Sequence, residues 1–111
     1  MKILAEWTIK TLVLLTTSYL IPGFRIDSYI TAFVVAAVLG ILNLLIKPLL
    51  IFFTLPFTII TFGLFIFVVN AIVLLIASSI VPGFHIDSFV TALFSAIVIT
   101  IISSLLNQIF K

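Results

Sequence analysis

Few side chains in this sequence could perform catalysis, and their spacing favours structural roles. Asp27 and Asp87 could form a pair of catalytic carboxylates, but each follows a Pro-Gly turn. An acidic residue at that place is explained as a cap of the next helix, whose first N–H groups need an acceptor, and the serine after each aspartate, Ser28 or Ser88, could serve as the cap instead. The sequence also has no glycine-rich phosphate loop, HExxH or GxSxG pattern. We therefore predict no enzymatic activity and no cofactor.

Metal binding is not expected either. The sequence has no cysteine, and His85 is its single histidine. A metal site needs several ligands, and only Asp87 is close to His85 in sequence. Because His85 aligns with Arg25 of a related segment, we predict a loop salt bridge between His85 and Asp87. A pH-sensing role for His85 is the alternative.

Polar side chains inside the apolar segments are the remaining candidates for function. Lys10, Asn43 and Asn70 interrupt otherwise apolar runs, where polar groups are costly and need partners. One interpretation is structural: an interhelical hydrogen bond for Asn70 and an ion pair between Glu6 and Lys10, which are four residues apart in the favourable order. The functional alternative is a polar path lined by Lys10, Asn43, Asn70 and Thr17.

Small residues recur at helical spacing and allow helix backbones to approach closely in lipid. They are Ala32, Ala36 and Gly40 in one segment, Gly63 in a second, and Ala92, Ala96 and Thr100 in a third. The simpler interpretation is helix packing within one chain. The alternative is that one of these faces forms the interface of a homo-oligomer.

The composition places these residues in a membrane protein. Hydrophobic residues make up 65% of the 111 residues and charged residues only 7%, whereas soluble domains are about one quarter charged. The apolar surface must therefore face the lipid bilayer. The formal net charge is +2, and the basic residues form no patch, so we predict no binding of nucleic acid.

An internal repeat organises the chain. Residues 21–32 recur with conservative changes as residues 81–92, and each copy contains a Pro-Gly turn, Pro22-Gly23 or Pro82-Gly83. Such a turn interrupts a helix, because Pro lacks the N–H donor and Gly tolerates positive φ. Each copy therefore reads as helix, turn, helix.

We predict an all-α fold, a bundle of four transmembrane helices formed by two tandem parallel helix–loop–helix repeats. The helices cover about 3–20, 28–47, 60–80 and 88–110, lengths that span a hydrocarbon core of about 30 Å. Repeat 1 covers about 3–47 and repeat 2 about 60–110 of a single integral membrane domain, 1–111. The connector, about 48–59, is predicted to contain a short interfacial or re-entrant piece at Leu49–Leu55.

The lysines predict the orientation of this bundle. Lys2, Lys10, Lys47 and Lys111 belong to the N-terminus, the central connection and the C-terminus, which a four-helix path places on one side. Excess lysine marks the cytoplasmic side of a membrane protein. Both termini are therefore predicted to be cytoplasmic, with both Pro-Gly turns outside.

Several motifs together resemble a known family. They are Asn43 to Pro48, the stretch Thr54-Leu55-Pro56 to Phe65, and the Pro-Gly-Phe-x-Ile-Asp-Ser turns. This pattern resembles phage holin superfamily IV, the YvlD-like proteins, over nearly the whole chain. The resemblance implies a four-helix protein of the bacterial cytoplasmic membrane, and the holin label implies oligomers that permeabilise it.

Three hypotheses for function follow from these observations. The first is a non-catalytic membrane protein of the bacterial cell envelope, holin-like in architecture, that self-associates. The alternative is a small channel or carrier for an ion, a small solute or a lipid, based on Lys10, Asn43 and Asn70. The third is a subunit that binds other envelope proteins.

Overall fold

The computed structural model describes residues 2–109. Its elements in chain order are α1 (Lys2–Leu20), β1 (Phe24–Ile26), α2 (Tyr29–Leu45), α3 (Lys47–Phe53), α4 (Leu55–Ile60), α5 (Phe65–Ile80), β2 (Phe84–Ile86) and α6 (Phe89–Ile109). The fold is therefore mostly helical, as predicted, although the two short strands were not expected. The predicted helix end at 110 and the orientation marker Lys111 lie outside the described residues.

Four helices pack in a ring around one core. Helix α1 contacts α2 and α6, while α5 contacts α6 and α2. The buried core takes adjacent residues from α1, Val13 and Leu14, and the residues 60 positions later in α5, Val73 and Leu74. Trp7 ties α1 to α2 as well, because its indole N–H donates to the Phe33 carbonyl at 2.9 Å.

The outer surface of the ring is apolar. Large side chains with more than half of their surface exposed occur on the helices and the turns between them; they include Leu12, Leu44, Phe52, Phe53, Phe57, Ile60, Phe94 and Ile101. Contiguous apolar surface of this extent marks a membrane or protein interaction site. Such a surface fits the lipid contact that the composition predicts.

Among the described residues, α6 is the one helix that is long and apolar enough by itself to cross a membrane. Helices α2 and α3 together form a second candidate span, although they bend by 44° at Ile46. Helix α5 is apolar but shorter, and α1 carries Glu6 and Lys10. Four separate spans therefore stay a prediction.

The two Pro-Gly turns meet in a small antiparallel sheet. Strand β1 pairs with β2 in a register that places Arg25 opposite His85. Phe24 and Phe84 are completely buried beneath the strands, with ring centroids 5.2 Å apart in an edge-to-face arrangement. We call this part of the molecule, residues 21–28 and 81–88, the strand end.

The caps of α2 and α6 are serines, so the prediction that one residue of each Asp-Ser pair caps the helix is confirmed for Ser28 and Ser88 and is wrong for Asp27 and Asp87. Ser28 accepts a hydrogen bond from the Thr31 N–H at 3.1 Å, and Ser88 accepts one from Thr91 at 3.2 Å. A capping oxygen must reach the third amide of the helix, and the aspartates lie one residue too early. Their backbone N–H groups instead donate to Gly83 and Gly23, each at 3.0 Å.

The centre of the chain is more helical than predicted. Pro48 and Pro56 lie in the first turns of α3 and α4, where proline costs no hydrogen bond. Helix α5 begins at Phe65 rather than at residue 60, because Phe62 and Gly63 adopt positive φ values of 57° and 90°. Gly63 therefore serves a turn, and a Cβ there would meet nothing within 4 Å, so its predicted role in packing within the chain is wrong, while a role in an oligomer interface stays a prediction.

Candidate functional site

A polar cleft lies between the four helices, away from the strand end. Its volume is about 230 Å³. Its polar lining residues come from all four helices and the start of α3: Lys10, Asn43, Lys47, Asn70, Thr100, Ser103, Ser104 and Asn107. Apolar side chains of the core, including Leu39 and Ile99, complete the lining. The structure thus brings Lys10, Asn43 and Asn70 together.

The polar residues of the cleft occupy corresponding positions in the two halves of the chain. Lys10 of α1 corresponds to Asn70 of α5 at the offset of 60 residues, and Asn43 of α2 corresponds to Ser103 of α6. Asn43 and Lys47 are four residues apart and therefore lie on one side of the chain as it passes from α2 into α3. The same spacing holds for Ser103 and Asn107. Each half of the chain thus supplies three polar groups at matching positions, and the second half adds Thr100 and Ser104.

The charge of the cleft comes from one half of the chain alone. Lys10 and Lys47 are both partly buried in it, whereas the positions 60 residues later carry the neutral amides Asn70 and Asn107. No carboxylate lines the cleft within the described part of the chain; Glu6 lies in a neighbouring recess that it shares with Lys10. The cleft is therefore cationic.

Most polar side chains of the cleft form no hydrogen bond within the described part of the protein. Among residues 2–109, the amides of Asn43, Asn70 and Asn107 make no hydrogen bond to another protein group, and neither ammonium group makes one. The predicted interhelical hydrogen bond of Asn70 is therefore absent from this part of the chain. The predicted ion pair between Glu6 and Lys10 is absent as well, since the described ion pair is Arg25–Asp87.

Sequence reasoning placed one residue wrongly in this path and missed others. Thr17 is completely buried, and its hydroxyl donates to the Val13 carbonyl at 2.8 Å, so it does not line the cleft. Lys47, Ser103 and Asn107 were not assigned to the path. The repeat contained the signal for them, because Asn43 and Lys47 align with Ser103 and Asn107.

The small residues divide into two groups. Ala32, Ala36, Ala92 and Ala96 are buried within the chain, which fits the interpretation of helix packing. Gly40 and Thr100 are exposed. A Cβ at Gly40 would meet nothing within 4 Å, and the Thr100 hydroxyl donates to the Ala96 carbonyl at 2.8 Å on the wall of the cleft.

Charged groups at the strand end are exposed and paired differently from the prediction. Arg25 Nη2 lies 3.5 Å from Asp87 Oδ1, whereas His85 forms no such pair with Asp87 within the described residues. The ladder explains this, since Arg25 and His85 are direct neighbours across the two strands. Within residues 2–109 no three His, Cys, Asp or Glu side chains come together to hold a metal ion.

The cleft can therefore hold a ligand through hydrogen bonds and positive charge. Ammonium groups are donors only, amides are donors and acceptors, and hydroxyls are both. Two ammonium groups without a carboxylate favour a negatively charged or strongly polar ligand.

Comparisons with known proteins identify the family and two relatives. The family model described as "Mycobacterial 4 TMS phage holin, superfamily IV" matches residues 1–105. The membrane protein YvlD of Bacillus subtilis (strain 168) is 39% identical over 110 residues, which cover 95% of this chain and 92% of that protein. A Streptomyces coelicolor protein is 39% identical over 85 residues, 73% of this chain and 68% of its own. No solved structure matches. The chain therefore belongs to phage holin superfamily IV, a family of membrane proteins.

Proposed function

We propose that the protein is a non-catalytic protein of the bacterial cytoplasmic membrane that acts as a small carrier or channel for an ion, a polar solute or a lipid. It forms one integral membrane domain over 1–111, with two tandem halves, about 3–47 and 60–110, joined by the connector at 48–59. Each half crosses the membrane twice, and both termini are cytoplasmic.

Matching contacts in the two halves support the duplicated architecture. The turn glycines Gly23 and Gly83 adopt φ values of 89° and 88°. Each accepts a hydrogen bond from the other half's aspartate, at 3.0 Å in both cases. Because the strands pair, both turns lie on one side of the bundle, and an even number of crossings per half keeps them there.

The polar cleft is the observation that carries the proposed carrier function. Under this topology it faces the cytoplasmic side, where the lysines lie. The strand end closes the opposite side with two buried aromatic rings. A solute that enters the cleft would stop beneath the strands, so transport requires a rearrangement of the strand end. This favours a carrier over a permanently open pore.

Cysteine accessibility tests the topology, because the chain has no native cysteine. Single cysteines replacing Arg25 and His85, both exposed on the strands, are expected to react with an impermeant reagent added outside intact cells. A cysteine replacing Lys2 is expected to react only after lysis. Labelling of the two strand positions from opposite sides would contradict the duplicated architecture.

Flux through reconstituted vesicles tests the carrier function. We expect vesicles with the protein to move at least one of chloride, phosphate, potassium or a fluorescent phospholipid faster than protein-free vesicles. Asn70→Leu, which places an apolar side chain in the cleft, should reduce this flux about tenfold or more, as expected for a lost polar contact of about 1.4 kcal/mol. Gln108→Leu is the control, since Gln108 is exposed and outside the cleft. No flux in any case would contradict the carrier function.

Self-association is the second candidate, and the open surface at Gly40 favours it. The helix backbone there is exposed and could approach another copy closely. Crosslinking in membranes tests this: oligomers are expected for the wild-type protein and should be lost in Gly40→Leu. A protein that is monomeric in both forms would exclude the homo-oligomer.

A further inference from the structure

We propose that the polar cleft binds a phosphate group, carried either by a free phosphate anion or by the headgroup of a phospholipid. This inference rests on the proposed function only in taking the cleft as the ligand site. It adds the class of ligand that the site selects, which neither the family nor the fold specifies.

The first argument is the concentration of positive charge. Lys10 and Lys47 line one cleft whose described lining contains no carboxylate. Glu6 lines the adjoining recess with Lys10, Ser103 and Asn107, but within the described residues it forms no ion pair with Lys10. Two like charges repel each other strongly where water is scarce, and partly buried charges need partners. A bound anion would reduce the repulsion between the two lysines and would give each of them a partner of opposite charge. The charges of the strand end show the contrast, because Arg25 there has Asp87 beside it.

The second argument is the supply of hydrogen-bond donors around the two lysines. Asn43, Asn70 and Asn107 each bring an amide NH₂, and Ser103 and Ser104 bring hydroxyls. Within residues 2–109 no protein group accepts a hydrogen bond from any of these donors. A phosphate has several strong acceptor oxygens, and lysine is a common phosphate binder. Chloride would use only a few of these donors at once.

The third argument is size. The cleft volume of about 230 Å³ is far larger than the share of liquid volume that one water occupies, about 30 Å³. It accommodates a phosphate with part of its hydration shell, or with the polar portion of a lipid headgroup. The apolar residues Leu39 and Ile99 in the lining, and the apolar outer surface of the helices, are compatible with either source.

Two binding measurements separate the sources. Calorimetric titration of inorganic phosphate into the purified full-length protein, at constant ionic strength set with chloride, tests the free anion. Native mass spectrometry after exposure to phosphatidylglycerol or phosphatidylcholine tests the lipid, because the choline group neutralises the phosphate of the second lipid. We expect phosphate binding over the chloride background, or preferential retention of phosphatidylglycerol.

Single-charge variants connect that binding to the cleft. Lys10→Gln and Lys47→Gln each should weaken binding about tenfold to a hundredfold, as expected when a charged hydrogen bond is lost. Lys2→Gln removes the same charge from an exposed site outside the cleft and should leave binding unchanged. Thermal unfolding of each variant shows that it is folded. Lys10 lies in α1 and Lys47 at the start of α3. Because the two residues belong to different helices, the two variants test the site independently.

The outcomes are distinct. Lysine-dependent binding of inorganic phosphate assigns the site to the free anion, and lysine-dependent retention of phosphatidylglycerol assigns it to the lipid. Binding of neither, or binding that Lys10→Gln and Lys47→Gln leave as strong as Lys2→Gln does, overturns the inference. Flux without phosphate binding would support the carrier function and overturn the inference. Phosphate binding without flux would support the inference and contradict the carrier function.

Discussion

The strand end and the polar cleft are made from equivalent positions of the two halves, yet they differ in how closely the halves match. At the strand end most corresponding positions carry the same residue, and the exceptions are Ile21 with Val81 and the exposed pair Arg25 and His85; the identical pairs include Phe24 and Phe84, Gly23 and Gly83, Asp27 and Asp87, and Ser28 and Ser88. In the cleft the corresponding positions differ: Lys10 and Asn70, Asn43 and Ser103, Lys47 and Asn107. The buried and turn residues of the strand end therefore match in chemistry, whereas the cleft residues match only in position.

The difference follows from what each region must satisfy. At the strand end, each half packs against the other half's copy of the same turn, so a change in one copy would leave its counterpart without a fitting partner. The cleft has no such requirement, because its polar side chains form no hydrogen bonds with one another among the described residues. Its two copies can therefore carry different charge, and a single ligand placed between them would meet cations on one side and amides on the other.

The largest expected effect is the loss of an aromatic ring from the strand end. Phe24→Ala or Phe84→Ala removes a completely buried side chain and its edge-to-face contact. We expect each variant to lower the free energy of unfolding by about 3–5 kcal/mol, measured by denaturant titration in detergent. Phe53→Ala is the control, since 73% of the Phe53 side chain is exposed and its loss should have little effect in micelles. Equal effects at Phe24 and Phe53 would show that the strand end is not a packed core.

The next effect concerns the turn glycines. At Gly23 the φ value is 89°, and an added Cβ would lie 2.9 Å from Asp87 Oδ2. Gly23→Ala should therefore lower the free energy of unfolding by about 1–3 kcal/mol, the cost of a left-handed conformation for a residue with a side chain.

The matched control for Gly23 is the helical glycine of α2. Gly40 has a helical backbone and open space around it, so Gly40→Ala should raise the free energy of unfolding by roughly 0.5–1 kcal/mol. The two changes in the free energy of unfolding should have opposite signs. They test whether Gly23 is required by its turn and whether Gly40 on the outer helix face is replaceable. A loss of stability in Gly40→Ala would contradict this.

These contrasts also show what could be predicted from the sequence. The repeat located both Pro-Gly turns and all four long helices, because helix-breaking residues and apolar runs act locally. The strands could not be predicted, since β1 and β2 are three residues each and exist only through pairing between residues about 60 positions apart. The sequence also left open which residue of each Asp-Ser pair is the cap, because Asp27 and Ser28 are both good caps, and the contact of Asp27 that decides between them is with Gly83 of the other half.

The cleft was predicted in part. Lys10, Asn43 and Asn70 were recognised because polar residues are conspicuous in apolar segments. Lys47 was interpreted only as a marker of orientation, because Pro48 after it suggested the end of a helix rather than the start of α3. The error in α5 has a comparable cause: Phe62 adopts a positive φ of 57°, which a bulky residue rarely does, so nothing in the residue type signals it.

Removal of a charge from the cleft should raise the free energy of unfolding, by less than the loss of Phe24 or Phe84 lowers it. Lys10→Met keeps an unbranched side chain of similar length but removes a partly buried charge that has no carboxylate beside it in the described lining of the cleft. In phosphate-free buffer we expect the free energy of unfolding to rise by about 1–2 kcal/mol, by analogy with the gains found when buried ion pairs are replaced by apolar residues. A loss of stability instead would indicate that Lys10 has a structural partner within the protein.

The smallest effect is expected from the same type of substitution at the strand end. Arg25→Met also removes one positive charge, but the Arg25 and Asp87 side chains are 69% and 59% exposed and lie 3.5 Å apart. Water and salt screen such a pair, and surface ion pairs contribute about 0–1 kcal/mol. We therefore expect the free energy of unfolding to change by less than about 0.5 kcal/mol, with any change disappearing at high salt. Asp87→Asn should behave in the same way, because it breaks the same pair from the other side. A loss well above 1 kcal/mol in both variants would mean that the ion pair, and not the buried phenylalanines, holds the two turns together. The stability of the strand end would then depend on charge, as ligand binding in the cleft is proposed to do.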